Sequence, residues 1–243
     1  MIRLFVGYDP REACAYHVFC QSVLEFATVP VEFIPLHTPM LRDFDGQRDG
    51  SNAFIFSRYL VPSLCNYGGW AVFMDGDMLM RADIAELWNL SDPSKAVQVV
   101  KHDYQTLHPV KYRLSPLESP NVDYPRKNWS SVVLWNCAHP ANRVLSREFV
   151  QDAGGAYLHR FMWLEDHQIG TLPETWNALV GEPRQWRMDP PKVAHFTLGV
   201  PGFKFYRDDE CGREWEETLL RTVRLLGEHP VDLMRRAMED SSG

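Results

Sequence analysis

The sequence predicts a single α/β domain, built on a mixed, mainly parallel sheet flanked by helices. Three observations carry that reading. Short apolar, branched runs alternate with helix-period segments through the first part of the chain. Those runs are continuously apolar, as in strands buried on both faces. The size also fits: 243 residues, 45% of them hydrophobic and 12% aromatic, supply one large core and exclude a disordered or fibrous chain.

Residues 2–6 (IRLFV) form the first strand, broken by Gly7-Tyr8-Asp9-Pro10. A helix follows. Asp9 can cap it, Pro10 suits its first position, Glu12 completes a capping-box spacing, and Ala15, Phe19, Val23 and Phe26 recur at helical intervals. Residues 31–36 read as the second strand. Residues 42–52 (RDFDGQRDGSN) are polar and Gly-containing, a surface loop over the edge of a site. Residues 54–64 predict a helix before Gly68-Gly69. The apolar run 70–74 (WAVFM) then ends abruptly in Asp75-Gly76-Asp77, placing carboxylates at the carboxyl end of a buried strand.

Residues 96–100 and 132–135 supply two more strands. Between them the Pro-rich, poorly periodic stretch 106–127 reads as an ordered flap. Residues 164–172 and 212–226 predict helices, and 231–239 a last short one after Pro230. The expected division is a domain over residues 1–210 and a C-terminal helical extension, 211–243, packed on or near it. Arg221, Arg224, Arg235 and Arg236 give this extension a basic side. A solvated face on a packed helix is the preferred reading, and peripheral membrane contact the competing one.

The formal charge is −7, from 25 Lys plus Arg against 32 Asp plus Glu. Such a field repels nucleic acid, so an anionic ligand must be held by local groups. Five scattered cysteines, with no C-x-x-C pair, fit neither a disulfide framework nor a thiolate metal site. With no spanning apolar run and no signal-peptide core, the expectation is a soluble, cytoplasmic protein.

Asp75-Gly76-Asp77 is the most informative feature. Gly76 lets the backbone turn closely around a ligand, while the paired carboxylates make a hard, oxygen-rich cation site. A histidine tilts such a site from Mg²⁺ toward Mn²⁺ and leaves coordination positions for a diphosphate. His195, closing the run Lys192-Val193-Ala194-His195, is the candidate. After it comes a Gly-containing loop with Gly199 and Lys204, whose backbone and cation suit phosphate oxygens.

Over roughly residues 2–204 these features resemble the GT-A glycosyltransferases, most closely the family 8 type that includes glycogenin-like and lipopolysaccharide galactosyltransferase-like enzymes. The resemblance is carried by the opening strand with Gly7-Tyr8-Asp9, the segment Ser57-Arg58-Tyr59-Leu60-Val61-Pro62, the motif Phe73-Met74-Asp75-Gly76-Asp77-Met78-Leu79, and His195-Phe196-Thr197. It implies a UDP-linked sugar donor, with Gly7, Tyr8 and Asp9 lining the uridine pocket and Arg58 near the nucleotide or donor sugar. Asp75, Asp77 and His195 would be the metal ligands. Asp166 and Gln168, in Glu165-Asp166-His167-Gln168, would lie by the reacting sugar. Gly199 and Lys204 would meet the phosphates, although they stand further from the histidine than in relatives. The implied reaction is Mn²⁺- or Mg²⁺-dependent transfer of a sugar to a hydroxyl acceptor (a glycan, lipid-linked sugar or protein), with retention of anomeric configuration; an inverting reaction would need a carboxylate base such as Asp166 or Glu165, and the sequence does not decide between them.

Other readings stay open at this point. Asp9 also serves as a plain helix cap, Arg58 as an ion-paired helix residue, His195 as a satisfied strand-end histidine, and Asp166 and Gln168 as surface positions. A nucleotidyltransferase or nucleotide-sugar phosphohydrolase would use the same metal logic on phosphorus. A noncatalytic binding module would keep the fold without turnover.

Overall fold

The computed structural model describes residues 1–37, 54–183 and 190–224. The expected loop 42–52 and the expected helix 231–239 lie outside the described residues, as does most of the basic tail.

Strand β1, Ile2–Gly7, leads through a 3₁₀ turn at Pro10–Glu12 into α1, Ala13–Phe26. Then come β2, Val31–Leu36; α2, Val61–Leu64; β3, Trp70–Met74; β4, Met78–Met80; and α3, Ile84–Trp88. After β5, Val97–Val99, the flap carries only the two-residue strands β6, Val110–Lys111, and β7, Ser119–Pro120. Next are β8, Val132–Asn136; α4, Arg147–Asp152; α5, Gly155–His159; and β9, Ile169–Thr171. The described chain closes with β10, Ala178–Leu179; β11, Val193–His195; and α6, Gly212–Arg224.

The main sheet has the order β2-β1-β3-β8-β5-β9. Its pairings make every strand parallel except β8, which is antiparallel to both β3 and β5. The mixed, mainly parallel sheet read from the sequence is therefore present. Period-2 alternation explains why the strand sequences are apolar throughout. Phe5, Phe73, Val133 and Trp135 bury into one layer, with Tyr59 and Phe161. Leu4, Val6, Val72, Met74 and Leu134 bury into the other, against Phe19 and Val23 of α1. A smaller sheet, β10-β11-β4, extends this core, and Trp215 of α6 is fully buried beside Leu79, Ala194 and Phe196. Helix α6 thus shares a core with the strands that carry His195, and Arg221 pairs with Glu25 of α1.

Two local expectations need correction. Residues 164–172 form no helix: a 3₁₀ turn, Asp166–Gln168, runs directly into β9. The Gln168 side chain closes a capping box on Glu165, and Ile169 pairs in register with Val97. At Gly170 a Cβ would stand 2.6 Å from Cγ of Gln98, so the strand lies flush on β5 only with glycine there. The helix expected over 54–64 is likewise shorter, a 3₁₀ turn at Ser57–Leu60 followed by the single turn α2 with Pro62 in it. On α1, Ala15, Phe19 and Val23 are buried as expected, but Phe26 is exposed at its end.

Candidate functional site

Chain direction puts the site at one edge of the sheet. Parallel β1 and β3 end there, and antiparallel β8 begins there, so Gly7, Asp75 and the lead-in Asn128–Ser131 meet. Asp75 N–H donates to Ser131 O at 3.0 Å. Arg58 reaches the same point. Its Nη1 donates to Ser130 O at 2.9 Å and lies 3.0 Å from Asp75 Oδ1, and its guanidinium lies 5.3 and 5.0 Å from the Phe54 and Phe73 ring centroids.

The smaller sheet delivers the third side chain. Phe196 N–H bonds Asp77 O, and His195 pairs with Met78 in antiparallel register, which turns the imidazole toward the two carboxylates. His195 Nε2 is 3.3 Å from Asp77 Oδ1 and 4.0 Å from Asp75 Oδ2. One ligand atom from each of Asp75, Asp77 and His195 falls within 4.8 Å of the others.

Asn177 fixes which nitrogen faces them. Its Nδ2 donates to Asn128 O at 3.1 Å, so its Oδ1 must accept, and it takes the His195 Nδ1–H at 2.8 Å. Nε2 therefore meets the carboxylates, carrying either a proton or a lone pair free for a metal. The donor set fits a divalent cation. Asp75 Oδ1 and Asp77 Oδ1 are both buried and accept no aligned hydrogen bond, facing only Arg58 and His195 at ion-pair distance, an arrangement that a cation completes. Burial, reinforced by the charge of Asp77, pushes the Asp75 carboxyl up despite Arg58. Burial alone would raise Asp77 as well, but His195 and Lys111 outweigh it and hold Asp77 below the usual carboxylate range.

Beside the cluster opens a cavity of about 520 Å³ whose lining includes Arg58, Asp75, Asp77 and His195. The flap forms its other wall and contributes residues that the sequence did not signal. Lys111 Nζ is buried there, donating to Thr197 Oγ1 at 3.0 Å; burial lowers its pKa against the pull of Asp77. Tyr112 sits at φ 53°, a left-handed conformation strained for an aromatic residue, with its hydroxyl donating to Glu12 Oε2 at 3.2 Å. Glu12, expected to close a capping box, instead points inward, where burial and the charge of Asp77 push it up to about 8. The flap is tied down by Glu182, which accepts from Thr106 Oγ1, Leu107 N–H and Asn121 Nδ2.

The other sequence candidates are placed differently. Gly7 abuts Gly76, while the half-buried Tyr8 meets the Tyr16 and His37 rings edge-on. Asp9 does cap the 3₁₀ turn, through Arg11 N–H, and also pairs with the Arg11 guanidinium at 2.6 Å. None of these three lines the cavity itself. Asp166 is exposed and pairs with Arg126 at 2.5 Å, and the Gln168 amide is occupied by Glu165 N–H, so neither faces the cavity. Gly199 packs under the Tyr206 ring, and Lys204 is exposed at the start of a 3₁₀ turn. Lys111, rather than Lys204, is thus the lysine that joins Arg58 as a buried cation near the carboxylates. Val110-Lys111-Tyr112 shows only a trace of strand alternation, too short to read.

His159 adds a pH-sensitive element to the wall. Its Nδ1 shares hydrogen bonds with the hydroxyls of Tyr59 and Ser130, and burial, followed by the charge of Arg58, pushes it down to about 3. The folded state keeps this ring neutral, while the unfolded chain protonates it near pH 6.5. Stability is therefore lost as pH falls below about 6.5 toward 3, by about 2 kcal/mol between pH 7 and pH 5 from this one residue. Urea titrations should show a correspondingly shallower acid loss in His159→Gln than in the unsubstituted protein; equal pH slopes would refute the burial of a neutral ring.

No family model matches the chain. Among solved structures it is similar to the bifunctional glycosyltransferase WbbM (TM-score 0.60, 11% identity, 90% of this chain and 49% of that one). It is also similar to the glycosyltransferase GlyE of Streptococcus pneumoniae (0.57, 13%, 90% and 60%) and to the galactosyltransferase LgtC, solved with donor and acceptor sugar analogues (0.53, 13%, 90% and 95%). The chain spans about half of WbbM and three fifths of GlyE. These likenesses establish the fold as GT-A. In sequence, Protein CDI of Arabidopsis thaliana is 44% identical over 228 residues, 88% of this chain and 84% of that protein. Identity at that level, sustained over most of both chains, makes this protein a member of the Protein CDI family, with a GT-A glycosyltransferase fold.

Proposed function

We propose that this protein is a divalent-cation-dependent glycosyltransferase that moves a sugar from a nucleotide donor, UDP-linked, to a hydroxyl acceptor. The observation that carries the reading is the convergence of Asp75, Asp77 and His195 at the carboxyl edge of a GT-A sheet, opening on a cavity large enough for a donor. Asp75, Asp77 and His195 would hold the cation, and Mn²⁺ suits their mixed oxygen and nitrogen set. When bound, such an ion supplies Lewis-acid stabilisation of the departing diphosphate, worth several kcal/mol.

The chain's own residues do the rest. Arg58 is locked by Ser130 O and Asp75, and its charge is fixed in place before substrate arrives. Lys111 supplies the second fixed cation, in the role that sequence position alone would give Lys204. Gly7, Tyr8 and Asp9, at the end of β1 and outside the described cavity lining, would take the base, with Tyr8 as the aromatic candidate. The flap, fastened through Glu182, keeps water from the reacting bond. Asp75 and Asp77 are the carboxylates of the described lining and are committed to the cation. This favours retention, with the leaving diphosphate taking the acceptor's proton.

Incubation with UDP-glucose, UDP-galactose and UDP-glucuronate should release UDP from one of them when Mn²⁺ is present and not when it is chelated. Lys111→Met should lower that rate by about 10²-fold, the range for loss of one preorganised donor. Release of pyrophosphate or of sugar phosphate would point to attack at phosphorus and overturn the assignment, as would donors left intact in every arm.

A further inference from the structure

The cavity wall contributed by α5 holds a charge that the donor reaction does not use. Arg160, directly after that helix, lines the cavity beside Gly155, Ala156 and His159. Its Nε is buried with no hydrogen-bond partner, and no ion pair to its guanidinium is found among the described residues. The nearby carboxylate is already taken. Arg126 pairs with Asp166 through Nη2, and through Nη1 donates to the backbone carbonyl of Arg160 at 2.5 Å. A buried guanidinium donor left unmet in a cavity wall would be satisfied by an anion.

Charge counting points the same way. Arg58, Lys111, Lys127 and Arg160 line the cavity against Asp75 and Asp77. A divalent cation cancels the two aspartates, and the diphosphate of a sugar-linked nucleotide, with one charge on each phosphate, answers two of the four basic groups. Lys127 has its own carboxylate, Asp123, at 3.2 Å. One positive charge is left, and Arg160 is the group without a partner. A second orphan lies alongside it: His159 Nε2 is also buried without a hydrogen-bond partner.

We propose that the acceptor carries an anionic group, a carboxylate or a phosphate, which Arg160 binds to present the neighbouring hydroxyl to the donor. This rests on the donor-site reading above and adds the chemical class of the second substrate.

Calorimetry on the full chain tests it in two steps. Mn²⁺ and UDP are titrated first; no uptake refutes the donor site and, with it, this inference. The UDP-loaded protein is then titrated with methyl glucuronide, glucose 6-phosphate and methyl glucoside, the first two distinguishing carboxylate from phosphate. One charged probe should bind at least tenfold more tightly than the neutral one, and Arg160→Gln should erase that margin. Arg160→Lys keeps the charge without the planar fork and should retain a reduced preference, so the test survives if the glutamine variant fails to fold. Equal binding of all three probes, no binding of either anion, or a preference that persists in Arg160→Gln overturns the proposal and leaves the donor site standing.

Discussion

Asp77→Asn is expected to abolish metal-dependent nucleotide binding and to lower turnover by about 10³-fold or more while leaving the fold intact, because it removes a proposed ligand and leaves the buried Arg58–Asp75 pair in place. Wild-type protein with Mn²⁺ and UDP at about a hundred times Kd should gain about 2.7 kcal/mol, or roughly 5–10 °C in Tm at this chain length. In the variant that gain disappears. The metal-free melting temperature should fall only slightly, since His195 and Lys111, which hold the Asp77 carboxyl below its usual range, lose the charge they face. Asp75→Asn should lose the same ligand response but melt lower still without metal, because Arg58 is 3% exposed and would keep a buried charge without its carboxylate. A UDP-induced shift preserved in Asp77→Asn, or identical metal-free melts for the two variants, would contradict this division of roles.

That asymmetry between two aspartates of one tripeptide is invisible in the sequence, although the tripeptide itself is not. Strand β3 was legible because both its faces are buried, which makes Trp70–Met74 apolar at every position and the following Asp75 abrupt. The same logic found β1, β8 and the run ending in His195. What escaped were side chains set by tertiary approach. Asn177 orients His195 from a 3₁₀ turn with no periodic signal. Lys111 ends, and Tyr112 directly follows, a two-residue strand whose position depends on Glu182 and Thr197 across the cavity. Arg160 follows a five-residue helix, too short to show a face.

The misassigned segment is instructive for the same reason. Residues 164–172 hold leucines and charges at spacings that suit a helix, but the capping-box partner Gln168 closes only one turn before Ile169 meets Val97. Edge pairing beside β5 outweighed local propensity, which is a weak prior over so short a window. With the helix replaced by a turn, Asp166 faces solvent and Arg126 rather than the cavity. Glu12 shows the converse: local spacing suggests a cap, whereas burial turns it inward to accept from Tyr112, which does line the cavity.

Gly76→Ala should be the most damaging single-methyl change in the molecule's site, and for a backbone reason. A Cβ on residue 76 would stand 2.3 Å from the carbonyl oxygen of Gly7, about an ångström inside ordinary contact. Neither side can yield by a rotamer change. Gly7 is the last residue of β1, and Asp75 is fixed by its N–H to Ser131 O. Either the strand end or the Asp75-Gly76-Asp77 turn must move, and overpacking of this kind costs about 1–3 kcal/mol, which at this length lowers Tm by roughly 2–12 °C. The functional loss should exceed the stability loss. Displacing two metal-binding carboxylates by about 1 Å costs on the order of 10²-fold in rate even where the protein remains folded. Gly68→Ala, in the turn before β3 where the nearest atom to a new Cβ is 3.5 Å away, is the matched control and should be near neutral in both readouts. Melting curves and Mn²⁺-dependent UDP release measured on both variants decide the matter: if Gly76→Ala keeps wild-type turnover, the backbone of β1 does not press on the metal turn as described, and the geometry of the proposed cation site would have to be redrawn.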